Sequence, residues 1–279
     1  VCEVLAAPAG NLITPLAELI GELDIKRRVA QIEVAVADNL TALVLRVLED
    51  PTPADLAKMR EFEMRHGLAL YLQRGGLDSV VTLTPPGVPL RYDLPGLSAG
   101  IEFAPTDFVQ VNGELNRRMV AQAISLLGPR HGDRALDLFC GLGNFSLPLA
   151  QEVAAVTAVE VDAALVARAR ANAARNGISN AVFHAADLAA EGVRDGWTRG
   201  TYDLVLLDPP RVGAREVLPN AVASRPRRVV YVSCHPGSFA RDGGRLMKQL
   251  GYHLAAAGIM DMFPHTSHVE SIALFEPQP

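Results

Sequence analysis

The amino-acid sequence predicts an α/β protein in which a Rossmann-like domain follows a smaller α+β domain. From about residue 113 onward, apolar strand-like runs such as YDLVLLDPPR and RRVVYVSCHP alternate with helix-like segments, as in a doubly wound parallel sheet. The earlier part instead alternates apolar and polar residues, as strands with one exposed face do. We therefore predict an α+β domain over residues 1–95 and a Rossmann-like domain over residues 96–279.

The elements of the smaller domain follow from local patterns. The segment RVAQIEVAVADNLTALVLRVLED predicts a hairpin that turns at Asp38-Asn39. A helix is expected over TPADLAKMREFEMRHG, with Thr52 or Asp55 capping its start and Gly67 its end. Two further strands are predicted over LALYLQRGG and SVVTLTPP, and a Pro/Gly-rich connection, TPPGVPLRYDLPGLSAG, leads out of the domain.

The larger domain opens with a strand, a glycine loop and a helix over RALDLFCGLGNFSLPLA. The later elements are the strands AAVTAVEVD and AVFHAAD, the helices ALVARARANAARNG and SFARDGGRLMKQLGY, and two final strands, HLAAAGIMDMF and VESIALFEP. Ligands of such sheets bind beyond the carboxyl ends of the strands. Those ends carry distinctive side chains, namely Phe139, Glu160, Asp187, Asp208 and Cys234. We therefore predict a ligand site at this edge of the sheet.

Composition excludes several classes of function. No apolar run reaches the roughly 18–20 residues of a membrane span, so we expect no membrane partner. The net charge of −5 argues against a generally basic nucleic-acid binder, although Arg225–Arg228 could form a local basic surface. The three cysteines, Cys2, Cys140 and Cys234, are too few and too widely spaced for a disulfide framework, which indicates a reducing, cytoplasmic setting. Because the chain opens on Val1, we expect it to be a fragment of a longer protein.

The glycine loop DLFCGLGNFS indicates a nucleoside cofactor. Its Gly141 and Gly143 lack the third glycine of the dinucleotide pattern, so a close approach to a pyrophosphate is not specified. Glu160, at the end of the next strand, suits a ribose diol, and Asp187 could accept a hydrogen bond from an adenine amine. This order of residues favours S-adenosylmethionine, and a nicotinamide cofactor is the alternative.

The segment LLDPPRVGA follows the fourth strand and points to the reaction. Asp-Pro-Pro is typical of amino-group methyltransferases, in which an aromatic residue follows, but here Arg211 takes that place. Cys234 suggests a different target, because a thiolate that adds to C6 of uracil turns the unreactive C5 into a nucleophile. A base must then remove the C5 proton, and Glu270 is the carboxylate we assign. The competing interpretation is that Cys234 only fills a strand end and that Glu270 is an exposed rim residue.

Five segments together resemble the RNA (uracil-5-)-methyltransferases: FVQVNGELNRRMV, ALDLFCGLGNFSLPLA, LLDPPRVGA, VVYVSCHPGSFARD and DMFPHTSHVESIALFE. The resemblance covers about residues 100–276 and, more loosely, the preceding unit. It implies Cys234 as nucleophile, Glu270 as base, and Phe108 and Arg211 as substrate contacts. It also implies that the cofactor is bound by Gln110, Phe139, Gly141, Gly143, Asn144, Glu160, Asp187 and Asp208. Asp187 stands where relatives carry asparagine, and DPPR stands where close relatives have DPAR.

The resemblance implies methyl transfer from S-adenosylmethionine to C5 of a uridine through a covalent Cys–C6 adduct. Bacterial 23S rRNA is the expected substrate, with tRNA as the alternative, and no obligate protein partner is expected. An adenine or guanine amino-methyltransferase and an inactive RNA-binding remnant are the other hypotheses. VCEVL resembles the segment that carries the fourth ligand of a 4Fe–4S cluster in relatives, which makes Cys2 a candidate metal ligand. Its partner cysteines and a TRAM domain would lie upstream, so we expect this chain to lack the cluster.

Overall fold

A computed structural model of the chain describes residues 5–85, 87–190, 196–262, 265–266 and 268–279. The chain divides into two compact units, Val1–Asp93 with Glu102–Val111, and Leu94–Ile101 with Asn112–Pro279. The predicted domain bounds, 1–95 and 96–279, stay a prediction about which parts fold independently. In the part of the chain that is described, no helix is long and apolar enough to cross a membrane.

The helices of the described residues are α1 (Ala7–Gly10), α2 (Ile13–Glu22), α3 (Pro53–His66), α4 (Gly113–Leu127), α5 (Ser146–Ala150), α6 (Ala163–Arg175), α7 (Leu218–Ala221) and α8 (Pro236–Gln249). The strands are β1 (Val29–Val36), β2 (Thr41–Val47), β3 (Ala69–Gln73), β4 (Val80–Thr82), β5 (Leu90–Tyr92), β6 (Ile101–Phe103), β7 (Arg134–Leu138), β8 (Ala155–Glu160), β9 (Ala181–Ala185), β10 (Leu204–Leu207), β11 (Arg228–Ser233), β12 (Tyr252–Met260) and β13 (Glu270–Pro277).

The first unit contains a four-stranded sheet in the order β1-β2-β3-β4. Strands β1 and β2 form the predicted antiparallel hairpin, and α3 connects β2 to its parallel neighbour β3. The predicted helix caps are confirmed: Thr52 and Asp55 form a reciprocal capping box, and Gly67 ends α3 in the left-handed region. The amphipathic helix α2 was not predicted; its Leu16 and Leu19 belong to the core of this unit.

The second unit contains a seven-stranded sheet in the order β12-β13-β11-β10-β7-β8-β9. Strands β7 to β11 run parallel to one another, whereas β13 is antiparallel to both β11 and β12. Leu204–Leu207 is buried throughout, as expected for a central strand of a parallel sheet. From β7 the chain moves outward through β8 and β9 and returns to β10 on the other side of β7. The switch point, where ligands of such sheets bind, therefore lies between β7 and β10.

Candidate active site

The register of the parallel strands aligns the predicted site residues along one edge of the sheet. Leu138 pairs with both Leu207 and Val159, so the residues that follow these three lie at the same level of the sheet. Those residues are Asp208, Phe139 and Glu160. The register thus puts these three residues at one edge of the sheet, and the ligand site predicted there stays a prediction.

The glycine loop after β7 has an unusual backbone. Gly141 has a φ of 51° and Gly143 a φ of 91°, and a Cβ on Gly143 would lie 2.9 Å from Cγ of Leu147. Phe139 has a φ of 66°, which is strained for an aromatic residue. Its ring is partly buried against the hydrophobic core, and this packing offsets the energetic cost of the strained backbone. Strain of this kind is typical of ligand loops, and here it falls on a residue that was predicted to contact the cofactor.

Glu160 ties the glycine loop to the end of β8. Its Oε2 accepts a hydrogen bond from the backbone N–H of Gly141 at 3.1 Å, and its Oε1 accepts from Val161 and Asp162 at 2.8 and 3.2 Å. A carboxylate has about four acceptor sites, so this half-buried side chain keeps capacity for a ligand hydroxyl. Asp187 lies at the end of the neighbouring β9 and is exposed, and its Oδ1 accepts from the backbone N–H of Ala189 at 2.9 Å.

An amide pair holds the glycine loop from the opposite side. Asn144 and Asn116 exchange hydrogen bonds through their side-chain amides, each with a length of 3.0 Å. Asn116 lies on α4 and is only 3% exposed. Sequence reasoning predicted a role for Asn144 but missed Asn116, because 28 residues separate the two. The sequence clue was a polar residue on the buried face of an amphipathic helix.

Cys234 and Glu270 are brought together by the antiparallel pairing of β11 and β13. Ser233 pairs with Ser271 in this antiparallel ladder. Cys234 follows Ser233 and Glu270 precedes Ser271, so these two residues are opposite each other at the end of the ladder. Cys234 is partly exposed in the short turn that leads into α8, whereas Cys140 is 3% exposed. The next residue, His235, caps α8 by accepting a hydrogen bond from the backbone N–H of Ser238 at 3.1 Å. A helix start immediately after Cys234 therefore fixes the position of its thiol.

Two carboxyls of this edge, those of Asp208 and Glu270, have raised pKa values. Burial raises the pKa of Asp208 to about 7, and the charges of Glu270 and Asp137 act in the same direction. Burial also raises the pKa of Glu270. The Cys234 thiol has a raised pKa, chiefly because of burial and then because of Glu270 and Asp208, while Arg211 opposes this shift. Groups that titrate near neutral pH are suited to taking up and releasing protons.

Asp137 is a site residue that the sequence interpretation passed over. It lies on β7 beneath the glycine loop, is fully buried, and accepts a hydrogen bond from the Ser146 hydroxyl through Oδ2. Its other oxygen, Oδ1, has no hydrogen-bond partner among the described residues. Burial raises its pKa to about 7, and the charge of Glu160 contributes. The clue in the sequence was a single acid inside the otherwise apolar strand ALDLF.

The sequence predicts roles for four further residues, Phe108, Gln110, Cys2 and Arg211. Phe108, which is 77% exposed, and the half-buried Gln110 belong to the segment Glu102–Val111 of the first unit, so their roles stay predictions. Cys2 lies outside the described residues. Arg211 is in the second unit and exposed, with its Nη2 3.1 Å from Nδ1 of His268.

A 4Fe–4S cluster does not fit this chain by itself. Such a cluster takes four ligands, normally cysteines, and the sequence contains three cysteines in total. Within the described ranges, no three His, Cys, Asp or Glu side chains are grouped so that they could hold a metal ion.

Residues 96–278 match the sequence profile of the tRNA (uracil-5-)-methyltransferases. The chain belongs to this family. The resemblance found in the five sequence segments is thereby confirmed, and the matched range contains the strand-end cluster of Phe139, Glu160, Asp208, Cys234 and Glu270.

Two bacterial relatives are similar to the chain over nearly its whole length. The 23S rRNA (uracil(1939)-C(5))-methyltransferase RlmD of Xanthomonas campestris pv. campestris (strain 8004) is 50% identical over 276 residues, which is 99% of this chain and 62% of the relative. RlmD of Stenotrophomonas maltophilia (strain R551-3) is 49% identical over 275 residues, with the same coverage of 99% and 62%. The chain therefore spans less than two thirds of the length of these relatives.

Solved structures support the fold class. The tRNA (uracil-54, C5)-methyltransferase of Pyrococcus abyssi, crystallised with S-adenosyl-L-homocysteine, matches with a TM-score of 0.75 and 24% identity over 98% of this chain and 68% of that one. The M. jannaschii tRNA m1G37 methyltransferase matches with a TM-score of 0.61 and 10% identity over 98% of this chain and 78% of that one. The predicted Rossmann-like methyltransferase fold is confirmed.

Proposed function

We propose that this chain carries the catalytic machinery of an RNA uracil-C5 methyltransferase that uses S-adenosylmethionine. The observation that supports this most strongly is the β11–β13 register, which sets Cys234 opposite Glu270 at the ligand-binding edge of the sheet. Family membership and the similarity to two RlmD proteins, which are named as 23S rRNA methyltransferases, favour 23S rRNA as the substrate.

The glycine-loop side of the edge fits S-adenosylmethionine. Glu160 is oriented by three backbone donors and retains acceptor capacity for the ribose hydroxyls. Asp187, at the end of β9, is the proposed acceptor for the adenine amine, and Asn144 is held by hydrogen bonds with Asn116. Asp137 adds an unsatisfied buried carboxyl oxygen beneath the loop, which suits a cationic ligand. When bound, S-adenosylmethionine supplies an electrophilic methyl group.

The other side of the edge performs the covalent chemistry. The Cys234 sulfur adds to C6 of the uracil ring and forms an S–C6 bond, and the electron pair of the C5=C6 bond makes C5 nucleophilic. C5 would then form a bond to the methyl carbon as the bond between that carbon and the cofactor sulfur breaks, which leaves S-adenosylhomocysteine. Glu270 removes the C5 proton, the C5=C6 bond re-forms, and the sulfur leaves as a thiolate. Asp208 and Arg211 are the polar groups that face the base, as acceptor for its N3–H and as cation for a carbonyl or phosphate.

A covalent trap tests this proposal. RNA with 5-fluorouridine in place of uridine should form a stable protein–RNA adduct in the presence of S-adenosylmethionine, because the fluorine at C5 cannot be removed as a proton. Cys234→Ala should form no adduct, whereas Cys140→Ala should retain it because that buried thiol lies in the glycine loop. Absence of an adduct with the unmodified chain, or an adduct with Cys234→Ala, would overturn the proposal.

Comparing RNA substrates separates rRNA from tRNA. A 23S rRNA fragment is expected to react faster than tRNA, in line with the names of the bacterial relatives. A preference for tRNA would instead favour the activity named for the Pyrococcus abyssi structure. An amino-group methyltransferase would form no covalent adduct with either RNA.

A further inference from the structure

One part of the VVYVSCHPGSFARD segment has no role in the chemistry described so far. Arg241 and Asp242 lie in α8, the helix that begins just after the nucleophile Cys234. Asp242 is fully buried, which is unusual for a carboxylate in the middle of a helix. Its surroundings connect two loops of the site.

Asp242 and Arg241 form hydrogen bonds with the backbone of the loop that follows β10. This loop contains Asp208 and Arg211. Oδ2 of Asp242 accepts hydrogen bonds from the backbone N–H of Ala214 and from the Tyr231 hydroxyl, both at 2.7 Å. Oδ1 accepts from Nε of Arg241 at 2.8 Å. Nη2 of Arg241 then donates to the backbone carbonyl of Val212 at 2.7 Å. The two side chains thus hold the loop by one backbone donor and one backbone acceptor.

The loop is shaped to receive these side chains. Gly213 lies between Val212 and Ala214, whose backbone groups form these hydrogen bonds, and it has a φ of 84°. A Cβ there would lie 2.4 Å from Oδ2 of Asp242 and 2.5 Å from Nη2 of Arg241. No larger residue therefore fits while these two side chains keep their hydrogen bonds to the loop. Arg241, Asp242 and Gly213 therefore form one unit, which we call the loop clamp.

We propose that the loop clamp positions Arg211 so that its guanidinium stabilises the Cys234 thiolate during attack on the uracil. Arg211 lies directly before the gripped segment, and the helix that supplies the clamp starts two residues after Cys234. The clamp therefore fixes the cation relative to the nucleophile. This inference rests on the proposed function, and it makes Arg241 and Asp242 positioning residues.

The charges around Cys234 explain why the placement of Arg211 matters. Burial is the largest effect that raises the pKa of this thiol, and Glu270 on β13 and Asp208 at the end of β10 raise it further. A backbone hydrogen bond at Cys234 lowers this pKa, and the charge of Arg211 lowers it further. The ring of His235 is engaged in capping α8, and His268 contacts Arg211. Displacing Arg211 would leave the thiol facing two acids, so less thiolate would form at neutral pH.

Alkylation of Cys234 tests the clamp without RNA or cofactor. The rate of reaction with iodoacetamide is measured from pH 7.5 upward, where imidazole is largely neutral, and Cys234 is followed by peptide mass spectrometry. Asp242→Asn should shift the profile to higher pH and slow alkylation roughly threefold to tenfold at the low end of the range. The rates of the variant and the unmodified chain should converge at high pH.

A matched control separates positioning from stability. Asp133 is also a buried carboxylate that accepts from a backbone N–H, that of Arg130 at 2.8 Å, and from an arginine, Arg227. It lies just before β7, at the opposite end of the strands from Cys234. Asp133→Asn should lower the melting temperature but leave the alkylation profile unchanged.

A double-mutant cycle makes the test decisive. Arg211→Met should shift the profile by itself, and Asp242→Asn should add nothing on that background, because the clamp acts only through Arg211. If Asp242→Asn does not fold, Arg241→Met removes the partly exposed arm of the clamp and is subject to the same prediction. The inference would be overturned by a folded clamp variant in which the pH dependence of Cys234 alkylation is unchanged. It would also be overturned if Asp242→Asn shifted this pH dependence equally on the Arg211→Met background. Loss of the 5-fluorouridine adduct in the unmodified chain would refute the proposed function but would not alter this alkylation result.

Discussion

The two ends of the sheet in the second unit treat their charges in opposite ways. At the end where β7 and β11 begin, Arg227 pairs with Asp133, and Nε of Arg228 lies 3.1 Å from Oε1 of Glu276. Both arginines also donate to the backbone carbonyls of Gly128 and Leu126, at 2.8 and 3.0 Å respectively. Charges at this end are neutralised within the chain, as expected for a region whose role is structural.

The opposite end of the same sheet contains several acidic side chains. Burial and then the charge of Glu270 raise the pKa of Asp208, and Asp137 keeps one buried oxygen without a partner in the described residues. Phe139 bears backbone strain at the same level of the sheet. The comparison shows that charged side chains are paired with each other at the end of the sheet whose role is structural. Two acids whose pKa values are raised to about 7 by burial, Asp137 and Asp208, lie at the edge where the cofactor and the uracil are proposed to bind.

The largest effect should come from replacing Glu270, the glutamate at the start of β13. Glu270→Gln keeps the size of the side chain but removes the base, so multiple turnover should fall by about 10²- to 10⁴-fold. Attack and methyl transfer should still occur, and a covalent protein–RNA species should accumulate on ordinary uridine. Mass spectrometry after reaction with RNA and S-adenosylmethionine detects it.

The control for this variant is Glu276→Gln, which alters the paired end of the same strand and should turn over normally. A freely released, methylated product at the normal rate from Glu270→Gln would remove that residue from the mechanism. An adduct that persists when Cys234→Ala is added would assign the covalent bond to another residue.

A smaller effect is expected at the cofactor side of the acidic end. Glu160→Ala should weaken S-adenosylmethionine binding about tenfold to a hundredfold, since hydrogen bonds to a charged group contribute about 1.5–3 kcal/mol each. It also frees the Gly141 N–H that holds the glycine loop. Titration calorimetry measures the change, with Glu276→Ala as the control from the paired end. Equal affinity in Glu160→Ala and the unmodified chain would contradict the assigned role.

The smallest effect concerns stability and pH. The pKa of Asp208 is raised to about 7 in the folded chain, above its unfolded value near 3.8, so the folded state holds its proton more tightly. Its destabilising effect is absent below about pH 4, grows as pH rises, and is complete above about pH 7. Asp208→Asn should therefore unfold at higher denaturant concentration than the unmodified chain at pH 8.

The gain in unfolding free energy should be about 1–2 kcal/mol after allowing for solvent screening of a half-buried group, and it should shrink toward pH 5. Asp133→Asn, from the paired end, should be destabilised at both pH values. A stability difference for Asp208→Asn that does not change with pH would show that its carboxyl is not shifted as described.

Local signals made much of this architecture predictable. The caps of α3 are encoded within a few residues, and the strand ends follow from apolar runs that stop at a polar or aromatic residue. The sequence could not reveal contacts that depend on distant chain segments. Asn116 meets Asn144 across 28 residues, and Asp242 meets Ala214 across a further 28. The strain at Phe139 was equally hidden, because an aromatic residue carries no local preference for a positive φ.

The antiparallel pairing of β13 with β11 has a consequence for how this enzyme family can diversify. The position of Glu270 is set by the ladder from Ser233–Ser271 to Val229–Phe275, and not by the length of the segment 261–269 that precedes it. Insertions or deletions in that segment leave the ladder pairs unchanged. Variation in the length of this segment would therefore leave the spacing of the proposed reacting pair, Cys234 and Glu270, unchanged.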